Sequence, residues 1–210
     1  MARLVELHAG GPRIAWHTLF SPTDSSSYLL SDVRLTVDES LASGLVGWTI
    51  QCGRDAEVSI DGIPTTLVTD AEHLPRISQI GKQQAVGLDH VVVTTNNIDR
   101  TCAAIERELH LEVRRERQLG NGAVQRFHKL DNTIIEVVAG PHVTHEGSQL
   151  WGMVVSVDDL FELCEELGDN FTSPPKKATQ PGRYISTVRG SVGLGIPFAL
   201  MTPHVGRSAE

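Results

Sequence analysis

Residues 87–101 read GLDHVVVTTNNIDRT, and this stretch decides the fold that the sequence predicts. Its β-branched first half is typical of a strand, and Asn97 before Ile98 offers helix-start chemistry. Apolar residues then follow at helical spacing, at positions 98, 102, 105 and 109. Further strands are predicted at 111–118, 123–130 and 133–138. The resulting order is βαβββ.

The same order returns later in the chain. Residues 151–157 predict a strand, Asp158 and Asp159 can cap a helix, and Gly168 suits its C-terminal end. At a fixed offset of 62 residues, identical residues fall at corresponding places of the two patterns: Val92 and Val154, Val93 and Val155, Cys102 and Cys164, Gly120 and Gly182, Pro141 and Pro203, His142 and His204. These identities predict a structural duplication.

The first part of the chain is more divergent. Residues 30–37 resemble residues 130–137 in pattern, which favours a shortened third copy, with an unrelated α+β cap as the alternative. Polar neighbours around Pro75 predict a linker or long crossing loop over residues 69–85. The expected division is therefore an N-terminal α+β segment at 1–84 and modules at 86–142 and 148–204.

The composition is that of a globular protein, with 210 residues, 40% hydrophobic and 5% aromatic. The net charge of -8 argues against nucleic-acid binding, which requires a basic face. There is no signal-peptide pattern and no apolar run near the roughly 20 residues of a membrane span, so a cytoplasmic location is expected. Three widely spaced cysteines without a CxxC motif predict reduced, packed thiols.

Residues 86–204 resemble the glyoxalase/bleomycin-resistance/dioxygenase group, the vicinal oxygen chelate superfamily. The resemblance rests on the segment at 87–101, on FHKLDNTIIEVVAGP at 127–141, and on the second βαβββ copy. It implies an α+β fold in which paired βαβββ modules form a curved-sheet cup. It also implies one divalent metal as a possible cofactor, bound by residues of the first and last strands of a module. Carried over by position, these ligands are His90 and Glu136.

The chemistry of this pair is reasonable on its own. A carboxylate inside an apolar strand is costly unless it is paired, hydrogen-bonded or bound to a cation. Histidine with a carboxylate suits Zn, Fe or Mn. In the second module, however, Gly152 matches His90 and Phe198 matches Glu136, and two ligands are fewer than the usual three. The deficit could be met by the N-terminal segment, by a second subunit, or by nearby histidines: His8, His142 and His145.

The turn at residues 131–132 allows a prediction of strand register. If it is a two-residue hairpin turn, Phe127 lies opposite Glu136. Phe127, Gln125 and Glu136 then face the cup, whereas His128 and Arg126 point away from it. A longer turn would reverse the assignment, and ordinary sheet packing is the alternative role for Phe127.

Three more residues are candidate ligand-binding groups. Trp151 begins the second module and packs either at the cup rim or in the core. Arg183 has a planar guanidinium that suits a carboxylate or phosphate, with a solvated surface role as the alternative. Phe198 completes the set. Pro197 removes a hydrogen-bond donor from the last strand, which predicts an edge or bulged strand there.

Three functions remain open, and the sequence leaves undecided whether the protein is an enzyme. The first is a metal-poor cup that binds a small polar or aromatic metabolite, which the missing second ligand pair favours. The second is a metal-dependent lyase, isomerase or dioxygenase that uses His90 and Glu136. The third is a regulatory or interaction domain without chemistry. A monomer and a homodimer are both compatible with the sequence.

Overall fold

The computed structural model describes residues 2–20, 26–72 and 78–204. Strands dominate these residues and helices are few, which confirms the α+β class. None of the described helices is long and apolar enough to cross a membrane. The elements are β1 (Arg3–Gly10), α1 (Arg13–Leu19), β2 (Ser27–Leu30), β3 (Val33–Asp38), β4 (Gly44–Gln51), β5 (Ala56–Ile60), β6 (Ile63–Val68), β7 (Ser78–Ile80), β8 (Gln83–Thr95), α2 (Ile98–Leu109), β9 (Val113–Gln118), β10 (Val124–Lys129), β11 (Ile134–Ala139), β12 (Ser148–Val157), α3 (Leu160–Leu167), β13 (Lys176–Lys177), β14 (Tyr184–Thr187), a 3₁₀ turn (Gly190–Val192) and β15 (Phe198–Met201).

The strands form two sheets. The six-stranded sheet has the order β2-β3-β1-β4-β6-β5, and the nine-stranded sheet has the order β13-β14-β15-β12-β8-β11-β10-β9, with β7 paired to the start of β8. In each sheet two strands pair antiparallel at the centre, β1 with β4 and β8 with β12. Each of these four strands also pairs in parallel with a later strand: β1 with β3, β4 with β6, β8 with β11 and β12 with β15. The six-stranded sheet therefore repeats the layout of the larger sheet with fewer strands.

Side-chain caps fix the two longer helices. The Asn97 side chain accepts a hydrogen bond from the backbone N–H of Arg100 at the start of α2. Asp159 does the same for Phe161 and Glu162 at the start of α3. These bonds satisfy N–H groups that have no partner inside the helix. The helix starts predicted at these two positions are confirmed.

The main core lies on one face of the nine-stranded sheet. Leu88, Val91 and Val93 of β8 are buried there with Met153 and Val155 of β12. Burial of each such side chain contributes roughly 1.5–3 kcal/mol. The N-terminal part supplies aromatic rings to the same core: Trp16, Phe20 and Tyr28. The opposite face of the sheet has a separate small cluster, Val154, Ala199 and Met201, and we call it the cup face.

Phe198 belongs to the core face, which corrects the alignment of the two modules. Its ring lies 6.1 Å from that of Trp16 and 5.9 Å from that of Phe20, both edge to face. In the parallel pairs, Val92 lies beside Glu136 and Val154 beside Ala199. The residue corresponding to Glu136 is therefore Ala199. A shift of one residue along a strand moves a side chain to the opposite face.

Pro197 explains part of that shift. It immediately precedes β15 rather than lying in it, and its carbonyl accepts a hydrogen bond from the Met153 N–H. Because the proline is outside the ladder, β15 can pair on both sides, with β14 and with β12. The expectation of an edge or bulged last strand is wrong.

Candidate functional site

A bulge in β8 brings Asp89 and His90 together. Neighbouring residues of a regular strand point to opposite faces. Here the pairing with β12 passes over Asp89, since Leu88 lies opposite Val155 and His90 lies opposite Val154. An extra residue of this kind redirects a side chain. As a result, His90 Nδ1 lies 3.3 Å from Asp89 Oδ2.

His90 and Glu136, the two residues that the superfamily resemblance implies as ligands, are in contact. His90 lies beside Ile134 in the parallel pair of β8 and β11, so Glu136, two residues further, shares its face. The distance from His90 Nε2 to Glu136 Oε2 is 3.3 Å, with side chains 15% and 12% exposed. Burial raises the pKa of the Glu136 carboxyl above its usual range, and the charges of His90 and Arg117 oppose this effect.

The predicted hairpin register is confirmed. The Leu130 N–H donates to the Thr133 carbonyl across the turn, and Phe127 lies opposite Glu136. Gln125 Nε2 donates to Glu136 Oε1 at 2.5 Å. The Gln125 Oε1 atom is buried and has no hydrogen-bond partner in the part of the chain that the structure describes. Gln125 and Phe127 therefore share a face with the His90–Glu136 pair.

His128 lies on the opposite face, as the register predicts. It is fully buried, and its Nδ1–H donates to the carbonyl of Leu111 at 2.8 Å. Burial lowers the pKa of its imidazole, with the hydrogen bond to Leu111 acting in the opposite direction. It is a core histidine of the first module.

Arg183 lies in a buried ion pair rather than at the solvated surface. Its side chain and that of Asp89 are each 2% exposed, with Nη2 2.8 Å from Asp89 Oδ1. The guanidinium also donates to Ser156 Oγ at 3.1 Å and to the Thr202 carbonyl at 2.6 Å. Its further partners are Gln180 and His204. The structure thus places its donor groups inside the protein, where they bind Asp89 and the last strand.

The Arg183–Asp89 pair connects the second module to His90. Burial acts to raise the pKa of Asp89, but hydrogen bonds from His90 and Arg183 and the charge of Arg183 outweigh it and hold this pKa well below its usual range. His204 Nε2 lies 3.5 Å from Asp89 Oδ1. Sequence reasoning missed Asp89 because simple alternation places it on the face opposite to His90. Only the bulge brings the two together, and no pattern in the sequence indicates it.

The second module supplies an apolar wall to the cup face. The positions corresponding to His90 and Glu136 are Gly152 and Ala199. A Cβ atom at Gly152 would lie 2.3 Å from the Pro197 carbonyl oxygen, so the backbone excludes a side chain there. The small cluster on this side also contains the partly buried Ala178 and Ile185. The positions that match His90 and Glu136 are therefore apolar, although Ser156 beside Met201 and Thr187 opposite Ala199 add hydroxyl groups to the same face.

The remaining candidate residues are Trp151 and three histidines, and the histidines lie away from the His90–Glu136 pair. Trp151 occupies a bulge of β12 between Leu150 and Gly152, and it is 51% exposed. His145 Nε2 lies 3.0 Å from Thr94 Oγ1, and Thr94 is four residues, roughly 13 Å, along β8 from His90. His8 bonds Thr49 in the six-stranded sheet, and His142 is exposed beyond β11. None of these histidines joins the His90–Glu136 pair.

A small cavity lies on the other sheet, apart from this pair. Its volume is about 160 Å³, and Glu6 and Arg34 contribute to its lining. Glu6 is the first residue after a bulge in β1, as His90 is in β8, and it accepts a hydrogen bond from Thr36. The two sheets thus place a polar residue at corresponding points of their central strands. The cavity itself contains no part of the His90–Glu136 site.

The donor atoms around His90 meet part of what a divalent metal needs. Across residues 2–20, 26–72 and 78–204, no group of three or more His, Cys, Asp and Glu side chains could hold an ion. His90 and Glu136 offer one nitrogen and one carboxylate, and Gln125, which donates to Glu136 through Nε2, has an amide oxygen that is buried and unpartnered within the described residues. These donor types fit a divalent metal with open coordination positions.

Comparisons with known proteins bear on the fold. No family model and no curated protein matches the chain. A mutant 4-hydroxymandelate synthase from Streptomyces coelicolor matches over 98% of this chain and 94% of that chain, with a TM-score of 0.68 and 10% identity. Methylmalonyl-CoA epimerase from Mycobacterium tuberculosis covers 60% of this chain and 93% of its own, with a TM-score of 0.49 and 16% identity. A mutant Streptomyces coelicolor epimerase in complex with 2-nitronate-propionyl-CoA covers 58% and 97%, with a TM-score of 0.47 and 13% identity.

The chain has the fold of the synthase. This likeness spans nearly all of both chains and supports the vicinal oxygen chelate fold that the sequence resemblance implies. At 10% identity it speaks for the fold alone, because one fold serves many unrelated activities.

Proposed function

We propose that the cup face of the nine-stranded sheet binds a small metabolite with a hydrogen-bonding end and an apolar or aromatic body. One observation carries the proposal: His90 Nε2 lies 3.3 Å from Glu136 Oε2 on a face that also carries the apolar cluster Val154, Ala199 and Met201. Binding sites are typically apolar with a few well-placed polar groups. The polar end of the ligand lies at His90 and Glu136, and its body lies on the same face, against Phe127.

The surrounding residues orient this pair. The His90 Nδ1–H donates to Asp89, and a partner of this kind fixes the tautomer and ring orientation of an imidazole. His90 Nε2 then faces Glu136, whose Oε1 accepts a hydrogen bond from Gln125. The pair therefore presents an imidazole nitrogen and carboxyl oxygens to the hydrogen-bonding end of a ligand.

Phe127, Gln125 and Trp151 complete the proposed lining, whereas Phe198 lies in the core and Arg183 is buried against Asp89. The modules that build the cup are proposed to be residues 86–142 and 148–204. Residues 1–84 are proposed to be a pair of shortened copies, since β1 and β4 pair as β8 and β12 do. The strand layout is the same with fewer strands, and the copy formed by β4, β5 and β6 also has no helix within residues 44–68.

A neutral aromatic probe tests the binding function. We expect 4-hydroxybenzamide to shift NMR resonances of cup-face residues. We expect His90→Ala and Glu136→Ala to weaken its binding about tenfold, the effect of losing one good hydrogen bond. His8→Ala is the matched control, because it removes an imidazole from the other sheet. Shifts that map elsewhere, or binding unchanged by His90→Ala, would contradict the proposal.

A metal-dependent lyase, isomerase or dioxygenase is the second candidate. The Gln125 oxygen, unpartnered among the described residues, favours it, because a bound cation would satisfy this buried acceptor. When bound, a divalent ion would polarise a substrate oxygen. His90 and Glu136 would hold it, and Asp89 would keep the His90 ring in place.

Metal analysis of protein purified without chelators tests this candidate. A stoichiometric ion that is lost in His90→Ala and in Glu136→Ala, but retained in His8→Ala, is the expected result. Substoichiometric metal that also fails to bind on titration with Zn²⁺ or Mn²⁺ would reject it. Should neither the probe nor a metal bind, a non-catalytic interaction domain becomes the better description.

A further inference from the structure

The edge strand β9 carries arginines on the cup face. Arg117 lies opposite Gln125, and Arg115 lies opposite Phe127 in the antiparallel pair of β9 and β10. Directly opposed residues share a face. Since Gln125 bonds Glu136, both arginines lie on the same side of the sheet as this carboxyl group.

These two guanidinium groups have no carboxylate partner within the described ranges. Neither side chain forms a hydrogen bond or ion pair with any residue the structure describes. Arg126, on the opposite face of the same strands, pairs with Asp99 at 2.6 Å and with Glu116 at 2.8 Å. In a chain with a net charge of -8, two such arginines side by side on one strand face are a distinctive feature.

Arg117 acts electrostatically on the proposed binding site. Its charge is one of the influences on the Glu136 carboxyl, and the side chain is half-buried. β9 lies three strands, roughly 14 Å, from β8, and Arg117 is level with Thr94, roughly 13 Å along β8 from His90, so these two backbones are roughly 20 Å apart. Arg115 is level with Glu136 and two strands away, roughly 10 Å, a distance that the arginine side chain and a ligand the size of a small aromatic acid span together.

We propose that the ligand of this cup is an anion whose carboxylate or phosphate group is bound by Arg115 and Arg117. The inference rests on the proposed function of the same face and defines the class of its ligand. A guanidinium fork matches either group with two parallel hydrogen bonds. The uncharged end of the ligand lies at His90 and Glu136, because the carboxyl group of Glu136 repels a second negative charge.

A pair of matched probes tests the proposal. 4-Hydroxybenzoate and 4-hydroxybenzamide have nearly the same shape, but only the first carries a negative charge at neutral pH. We expect calorimetry to show the benzoate binding about tenfold more tightly, as charge-assisted hydrogen bonds contribute. Phenyl phosphate, compared with the benzoate, shows whether the site prefers phosphate or carboxylate.

Two variants test whether Arg115 and Arg117 cause the preference for the benzoate. The double variant Arg115→Gln/Arg117→Gln is expected to bind both 4-hydroxy probes with equal affinity and to leave amide binding unchanged. Arg107→Gln is the control, because it removes the same charge from an exposed position on α2. Urea unfolding of each variant confirms that the fold is retained.

Each outcome has one meaning. A preference for the benzoate that survives the double variant overturns the anion site, and so does a preference that Arg107→Gln also removes. Equal affinity of the unmodified protein for the two probes overturns the anion site but leaves the binding function standing. Absence of binding by all three probes overturns both.

Discussion

The two halves of the nine-stranded sheet have the same strand pairing and opposite chemistry. The first half presents His90, Glu136 and Gln125 to the cup, and the corresponding residues of the second half include Gly152 and Ala199. At these matched positions the first module offers ionisable groups, and the second module offers none. The duplication has kept the backbone layout but not the side chains of a site.

This difference between the two halves would fix the orientation of a bound ligand. A symmetric cup would accept a ligand in two equivalent orientations, whereas a cup with one polar wall fixes which end of the ligand meets His90. The buried Asp89–Arg183 pair links the two halves, since Asp89 belongs to β8 and Arg183 precedes β14. The second half therefore supports the site through Arg183, which binds Asp89 beside His90.

The largest expected effect comes from breaking that link. Arg183→Met leaves Asp89 as a buried charge without its main partner, and we expect a loss of about 3–5 kcal/mol in the free energy of unfolding. Urea unfolding measures it. Arg107→Met, at an exposed site, is expected to change stability by less than about 0.5 kcal/mol. A loss below about 1 kcal/mol at Arg183 would show that water already compensates Asp89.

Adding a methyl group to the apolar half is the next test. In Gly152→Ala the new Cβ lies 2.3 Å from the Pro197 carbonyl oxygen, so β12 and β15 must separate locally. We expect a loss of about 1–3 kcal/mol, as for other overpacked sites. Gly120→Ala is the matched control, because nothing described lies within 4 Å of the position that its Cβ would take. Equal midpoints for the two variants would mean that the second half has room for a side chain.

Sequence patterns predicted what local chemistry controls. The helix starts at Asn97 and Asp159 follow from capping, and the facing of Phe127 and Glu136 follows from a two-residue turn. The contact of His90 with Glu136 was implied by the resemblance, and the structure brings the two side chains together. Apart from that contact, each of these features depends on residues that are near one another in the chain or in one hairpin.

The positions of Asp89, Phe198 and Arg183 could not be predicted, because they depend on irregularities that one sequence does not reveal. A bulge turns Asp89 toward His90, and the displacement of Pro197 to the start of β15 places Phe198 in the core. Arg183 is 94 residues from Asp89 in the chain, so its burial follows only from the assembled sheet. The ligand-binding roles of Gln125, Phe127 and Trp151 stay predictions.

The polar half predicts a characteristic pH dependence. The folded-state pKa of Glu136 is raised by burial, so ionisation destabilises the native protein. Below the unfolded pKa, about 4.3, the carboxyl is protonated in both the folded and the unfolded state, so its ionisation does not lower the stability of the fold. As the pH rises toward the folded pKa, stability falls. Glu136→Gln is therefore expected to gain stability relative to the unmodified protein between about pH 4 and neutral pH.

Urea unfolding at several pH values measures that difference, in which other titrating groups largely cancel. Glu165→Gln, an exposed change on α3, supplies the control and is expected to show no such trend. A difference that does not vary with pH would indicate that Glu136 is not desolvated in solution.

The smallest expected effect compares the two modules through their helix caps. Asp159 accepts from two N–H groups, at 3.0 and 2.9 Å, whereas Asn97 accepts from one at 3.1 Å. The negative charge of Asp159 also interacts favourably with the helix dipole. Alanine at either position is expected to cost about 1 kcal/mol, with Asp159→Ala the larger loss. Hydrogen exchange resolves this difference best, because the Phe161 and Glu162 amides should lose more protection than the Arg100 amide. Since α3 is the shorter helix, a larger loss at Asn97 would mean that packing rather than capping holds α3 against the apolar half of the sheet.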